Sequence, residues 1–169
     1  MSKTIAIPVE ELYQEMEVWY PAYRLREAGY KTVFVGTGKP EYKSKLGYPV
    51  KADAHVKEVQ AKDFDGLIVP GGFAPDFMRR SPELLKLVAD LDQAGKPIGS
   101  ICHAAWVLVS AKILKGRTAT CYFAIKDDLT NAGATYVDQE VVVDRNLVTS
   151  RRPDDLPAFM REYLKLLAR

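Results

Sequence analysis

Short apolar runs alternate with longer stretches of helical periodicity along most of the chain. Ile5-Ala6-Ile7 opens the pattern as a strand, and residues 31–35 read as a second. Gly66-Leu67-Ile68-Val69-Pro70 and Pro97-Ile98-Gly99-Ser100-Ile101 are nearly continuous apolar strands. That composition is expected where helices cover both faces of a parallel sheet. Residues 118–120 supply a third central strand candidate. Between the strands, residues 17–28 carry Val18, Ala22 and Leu25 on one helical face, with Gly29 placed to end the helix and Pro21 placed to kink it. Residues 82–94 repeat the helical period through Leu84, Leu87, Val88 and Leu91, with Ser81 as N-cap and Pro82 at the first position.

Further along, a helix is expected over 103–114, a short one over 126–132 ended by Gly133, and an amphipathic one from about Leu156 carrying Phe159, Met160, Tyr163, Leu164 and Leu167. Val141-Val142-Val143 and Leu147-Val148-Thr149 flank Asp144-Arg145-Asn146, a three-residue hairpin signal. Residues 36–56 mix Gly, Pro, Lys and Tyr and predict an irregular excursion with one or two short edge strands. There is no internal repeat and no linker. The whole predicts one domain, residues 1–169, folded as a doubly wound α/β sandwich with a mostly parallel sheet.

Composition narrows the function classes. The 169 residues are 47% hydrophobic and 27% charged, as in ordinary soluble domains, so disorder and fibrous architecture are excluded. Twenty-four basic against 22 acidic residues give a net charge of +2, which argues against nucleic acid or an anionic membrane as partner. The apolar run around Ile5 is too short for a signal peptide, and no run approaches a membrane span, so a cytoplasmic protein is expected. Two cysteines and two histidines show no zinc spacing, and no metal or organic cofactor is expected.

One stretch carries chemistry. In Gly99-Ser100-Ile101-Cys102-His103-Ala104 a strand ends, one residue turns, and a helix begins, with small Ser100 and Ala104 two positions either side of Cys102. That is the pattern of a nucleophile elbow with Cys in place of Ser. A helix N-terminus should lower the thiol pKa, and the His103 amide would face a developing oxyanion. The alternative is a small buried thiol closing a strand. His103 is open as base, substrate-orienting group or helix cap, and His55 and Cys121 read as structural. Gly71-Gly72 reads as a second oxyanion amide or as a plain tight turn. Of Glu10, Glu11, Glu15 and Glu17, clustered after the first strand, one at most can lie under the nucleophile, and spacing does not choose it. A class I glutamine amidotransferase would need a downstream His, and none follows His103. A flavin carrier would need a hydroxyl-rich phosphate loop after the first strand, which is absent.

Taken together, Glu15-Met16-Glu17 with Pro21, Leu67-Ile68-Val69-Pro70-Gly71-Gly72, Ser100-Ile101-Cys102-His103, Ile125-Lys126-Asp127-Asp128, Asn131-Ala132-Gly133, Val141-Val142-Val143-Asp144 and Ser150-Arg151 resemble the ThiJ/PfpI superfamily along essentially the whole chain. The similarity is greatest to PfpI-type intracellular proteases and general stress proteins. The resemblance implies a flavodoxin-like, class I glutamine amidotransferase-like sandwich, assembled as a homodimer or as a hexamer built from three dimers. It implies a nucleophilic Cys102, a protonated Glu17 hydrogen-bonded to its thiolate, and oxyanion amides from Gly72 and His103. It places Asp76, one methylene shorter than the family's usual Glu, as an acid reaching His103 of a neighbouring subunit. Tyr122 and Arg151 fall at positions near the family's pocket, and Ala104-Ala105-Trp106 departs from the usual glycine and proline after Cys-His. The implied activity is a Cys-dependent hydrolase or lyase, either a deglycase or glyoxalase-type stress enzyme on small carbonyl compounds or a peptidase on short peptides. The competing expectation is a redox sensor or stress chaperone that uses oxidation of Cys102.

Overall fold

The first strand, β1 (Thr4–Val9), pairs in parallel along its full length with β2 (Lys31–Gly36), and α1 (Glu15–Glu27) makes the crossover between them. The computed structural model describes residues 2–169; Met1 lies outside them. α1 continues past Pro21 without a break in the helix and buries Val18, Ala22 and Leu25, as the periodicity predicts. The excursion that follows holds a small antiparallel hairpin of β3 (Glu41–Lys43) and β4 (Pro49–Lys51), then the edge strand β5 (Ala54–His55) beside β2.

Next come β6 (Gly66–Val69), the short helix α2 (Ala74–Met78) and α3 (Pro82–Gln93). The Ser81 hydroxyl accepts from the Leu84 amide and caps α3, a contact worth about 1 kcal/mol. β7 (Ile98–Ile101) leads through a 3-10 turn into α4 (Ala105–Ser110). After β8 (Thr118–Ala119), α5 (Lys126–Asn131) and β9 (Thr135–Tyr136), the hairpin of β10 (Val142–Asp144) and β11 (Leu147–Ser150) precedes the closing helix α6 (Leu156–Leu167).

The central sheet has the order β10-β11-β7-β6-β1-β2-β5, and only the β10–β11 pair is antiparallel. β6, β7 and β11 are buried at every residue, and β6 and β7 accordingly read as nearly continuous apolar runs. One continuous core contains the inward faces of these strands together with Leu84, Leu91, Phe159 and Tyr163 from the helices. None of the helices among the described residues is long and apolar enough to cross a membrane.

Three sequence-based expectations need correction. Residues 118–120 do not form a central strand: β8 pairs with β9 in a separate two-stranded sheet. The place beside β7 goes to β11, which is wholly buried, whereas Thr118 is exposed and its amide donates to the Asp144 carboxylate. The helix expected over 103–114 is only α4, because Lys112 turns left-handed at φ 60° and stops it. The hairpin loop holds two residues, not three: Asp144 pairs with Leu147, and Arg145 absorbs the reversal at φ 56°.

Candidate active site

β7 delivers Cys102 at the carboxyl end of the sheet, where the chain reverses direction within one residue. Its φ is +62°, in the left-handed region that a non-glycine residue occupies at a cost on the order of 1–2 kcal/mol. The Tyr122 amide donates to the Cys102 carbonyl at 3.2 Å and pins the turn. Ser100 and Ala104 are both buried, so the small flanks serve the tight packing the elbow demands.

The loop after β6 closes on the same point. A Cβ on Gly71 would lie 2.5 Å from Glu17 Oε2 and 2.8 Å from Cys102 Cβ, so only glycine passes between the two side chains. Gly72 has φ +81°, and a Cβ there would strike the backbone of residues 12–14. This conformation aims the Gly72 amide at the Cys102 sulfur, where the His103 amide also points, and both favour a negative charge on it.

Glu17 is fully buried on α1 beneath the cysteine. Its Oε2 accepts from the Gly71 amide at 2.7 Å, while Oε1 is buried with no hydrogen-bond partner, beside Cys102. Burial is the main cause that pushes this carboxyl up to about 8, with the Gly71 hydrogen bond opposing it. Glu17 is therefore neutral at pH 7, and its O–H can donate a hydrogen bond to sulfur.

The expected fall in the thiol pKa is not what the geometry produces. Burial pushes the Cys102 thiol up to about 12, and an ionised Glu17 adds to the rise; the His103 and Gly72 amides pull the other way. The helix that begins here is too short and too enclosed to outweigh desolvation. Below pH 8 Glu17 is protonated, so the repelling neighbour becomes a hydrogen-bond donor and part of the penalty disappears.

His103 lies closer to the cysteine than helical spacing suggests. The 3-10 turn Cys102–Ala104 brings its Nδ1 to 3.2 Å from Cys102 Sγ. Burial, followed by the charge of Lys45, lowers the His103 pKa, so its neutral ring can accept a proton. Its ring stacks on Tyr122 at 4.8 Å and meets the Trp106 edge at 5.2 Å.

Cys102, His103, Glu17, Gly72 and Tyr122 thus line one cleft of about 380 Å³, and Gly71 forms its inner wall. Two expected residues lie elsewhere within the chain. Asp76 on α2 pairs with Arg80, and no carboxylate among the described residues hydrogen-bonds His103. Arg151 is held by Asp155 and Asp138, and it is the next residue, Arg152, that lines the cleft. His55 caps a 3-10 turn by accepting from the Lys57 amide, and Cys121 is buried in the core, both as expected.

Sequence reasoning missed Lys45, Arg152 and Phe73, which also line the cleft. Lys45 comes from the β3–β4 turn, far away in the chain, and no local pattern marks it. Trp106 lines the cleft as well, anchored by a 3.2 Å hydrogen bond from its Nε1 to Asp128 and by the Arg79 guanidinium 5.7 Å from its ring centre.

A doubly wound sheet with a cysteine held at a strand-to-helix elbow, over a buried neutral carboxyl, defines the class. The chain belongs to the DJ-1/PfpI family, which it matches over residues 3–166. It is 43% identical over 155 residues to "Deglycase PfpI" of Pyrococcus furiosus, covering 92% of this chain and 93% of that protein. It is 42% identical over 170 residues to "General stress protein 18" of Bacillus subtilis, covering 99% of each. The crystal structure of Drosophila melanogaster DJ-1beta superposes with a TM-score of 0.91 at 31% identity, over 100% of this chain and 92% of that one.

Proposed function

We propose that the protein is a cysteine-dependent hydrolase or lyase of the PfpI type, acting through Cys102 in stress protection. Its substrates are small carbonyl compounds, such as glycated adducts and methylglyoxal, or short peptides. The observation that carries this reading is the convergence on one sulfur of a strained backbone, two amide donors and the His103 ring nitrogen at 3.2 Å. A thiol raised by burial is best activated at the moment of attack. His103 Nδ1 takes the thiol proton as sulfur adds to the carbonyl carbon. The C=O π electrons move onto oxygen, and the Gly72 and His103 amides stabilise that oxyanion. Neutral Glu17 adds no like charge beside the sulfur. The names of the relatives support a deglycase-like activity in the same fold.

In the proposed assembly, a homodimer or a hexamer built from three dimers, Asp76 from a second copy would orient His103. No carboxylate among the described residues hydrogen-bonds His103, which favours that arrangement.

The test compares wild type and Cys102→Ser on methylglyoxal and on short fluorogenic peptides. Turnover of at least one substrate by wild type, falling at least a hundredfold in the variant, is expected. A variant as active as wild type on both overturns the reading. A stable two-oxygen adduct on Cys102 after graded peroxide, with no turnover of either substrate, favours the redox sensor instead.

A further inference from the structure

The cleft above Cys102 is lopsided in charge. Lys45, from the β3–β4 turn, and Arg152, after β11, both line it. Among the described residues that line it, Glu17 alone carries a carboxyl, and burial keeps it neutral at pH 7. The chain as a whole is nearly balanced at +2, so two cations lining one cleft with no ionised carboxylate among the described lining residues is a local feature. Lys45 makes no ion pair among the described residues. Glu15, which feels the charge of Lys45, lies outside the cleft and accepts from the Leu46 amide at 2.9 Å. Arg152 faces Asp154 at 3.5 Å across an exposed pair, which holds the guanidinium only weakly. The charge on Lys45 reaches the reaction centre, where it acts on both His103 and Glu17. Phe73, Trp106 and Tyr122 line the same cleft with flat apolar surface.

We infer that this cleft selects carbonyl compounds that carry a carboxylate, with Lys45 and Arg152 as the groups that receive the anion. Cys102 attacks the carbonyl, while the two cations hold the neighbouring carboxylate at the mouth of the cleft. Lys45 and Arg152 are positioning and specificity residues. The inference rests on the reading of Cys102 as the reactive group, and it adds the substrate class.

The experiment uses two alkylating reagents that differ in charge. Rates of Cys102 modification by iodoacetate and by iodoacetamide are read by peptide mass in wild type, Lys45→Met, Arg152→Met and the double variant. The ratio of the two rates cancels any change in thiolate population. In the folded wild type at low salt, the iodoacetate-to-iodoacetamide ratio should exceed that of the urea-unfolded chain. It should fall roughly tenfold in the double variant, as expected for two cations acting through a partly aqueous path. Salt at 0.5 M should remove most of the preference. Glyoxylate, which can only add reversibly to the thiol as a hemithioacetal, should protect wild-type Cys102 from iodoacetamide at a lower concentration than glyoxal does, and the double variant should lose that advantage. A folded-state ratio equal to that of the unfolded chain, or one that both substitutions leave unchanged, overturns the inference. A charge-dependent ratio without turnover of any carbonyl would instead overturn the enzyme reading and leave the anion site standing.

Discussion

Replacing Glu17 by Gln should change how the stability of this protein depends on pH. The carboxyl is fully buried and sits at about 8 against an ordinary value of 4.5. Below pH 4.5 it is protonated in both the folded and unfolded states and contributes no pH dependence. Between 4.5 and 8 the unfolded chain releases a proton that the folded chain keeps, so stability falls as pH rises; above 8 the penalty is constant. The slope is about 1.4 kcal/mol per pH unit, which amounts to on the order of 4 kcal/mol between pH 5 and pH 8. Gln keeps an oxygen for the Gly71 amide and has no proton to lose. Urea unfolding followed by tryptophan fluorescence at pH 5, 6, 7 and 8 measures the difference between the two proteins, in which all other titrations cancel. The variant should gain on wild type steadily across that range and be clearly the more stable at pH 8. Stability curves that run parallel from pH 5 to 8 would show that Glu17 is not a buried neutral acid, and the account of Cys102 would fall with it.

Gly71→Ala should destabilise the fold by about 2 kcal/mol and cost more than tenfold in methylglyoxal turnover. Its Cβ would meet Glu17 Oε2, Cys102 Cβ and the Ile101 carbonyl at 2.5, 2.8 and 3.0 Å; thermal melts within 1 °C of wild type would contradict the close approach. Asp92→Ala should destabilise by about 3 kcal/mol in urea unfolding, because it strands a nearly buried Arg117 guanidinium. An effect below about 1 kcal/mol would mean that Asn146 and the Asp144 carbonyl satisfy Arg117 without it.

Several features of this protein were legible in the chain itself because the forces behind them are local or nearly so. The apolar runs at 66–70 and 97–101 announce buried parallel strands, since a strand covered on both faces leaves no position for a charged residue. Ser81-Pro82 marks the start of α3 through its own capping geometry. The spacing of Ser100, Cys102 and Ala104 announces the elbow, because a one-residue reversal tolerates only small flanks.

What the tertiary structure decided depends on contacts between segments distant in sequence. Residues 118–120 look as strand-like as 147–150, yet only the latter lies beside β7, a competition for one sheet position that local pattern cannot resolve. Glu17 stood among four clustered acids, and the packing of α1 beneath Cys102 chose it, raising its pKa by burial that no neighbouring residue in the sequence reports. The same enclosure reversed the expected shift of the Cys102 thiol, since desolvation grows with everything packed around a group while a helix terminus acts only from one side. Lys45 and Arg152 bear no motif at all. They line the same cleft because a hairpin turn and the segment after the last strand converge at the carboxyl end of one twisted sheet.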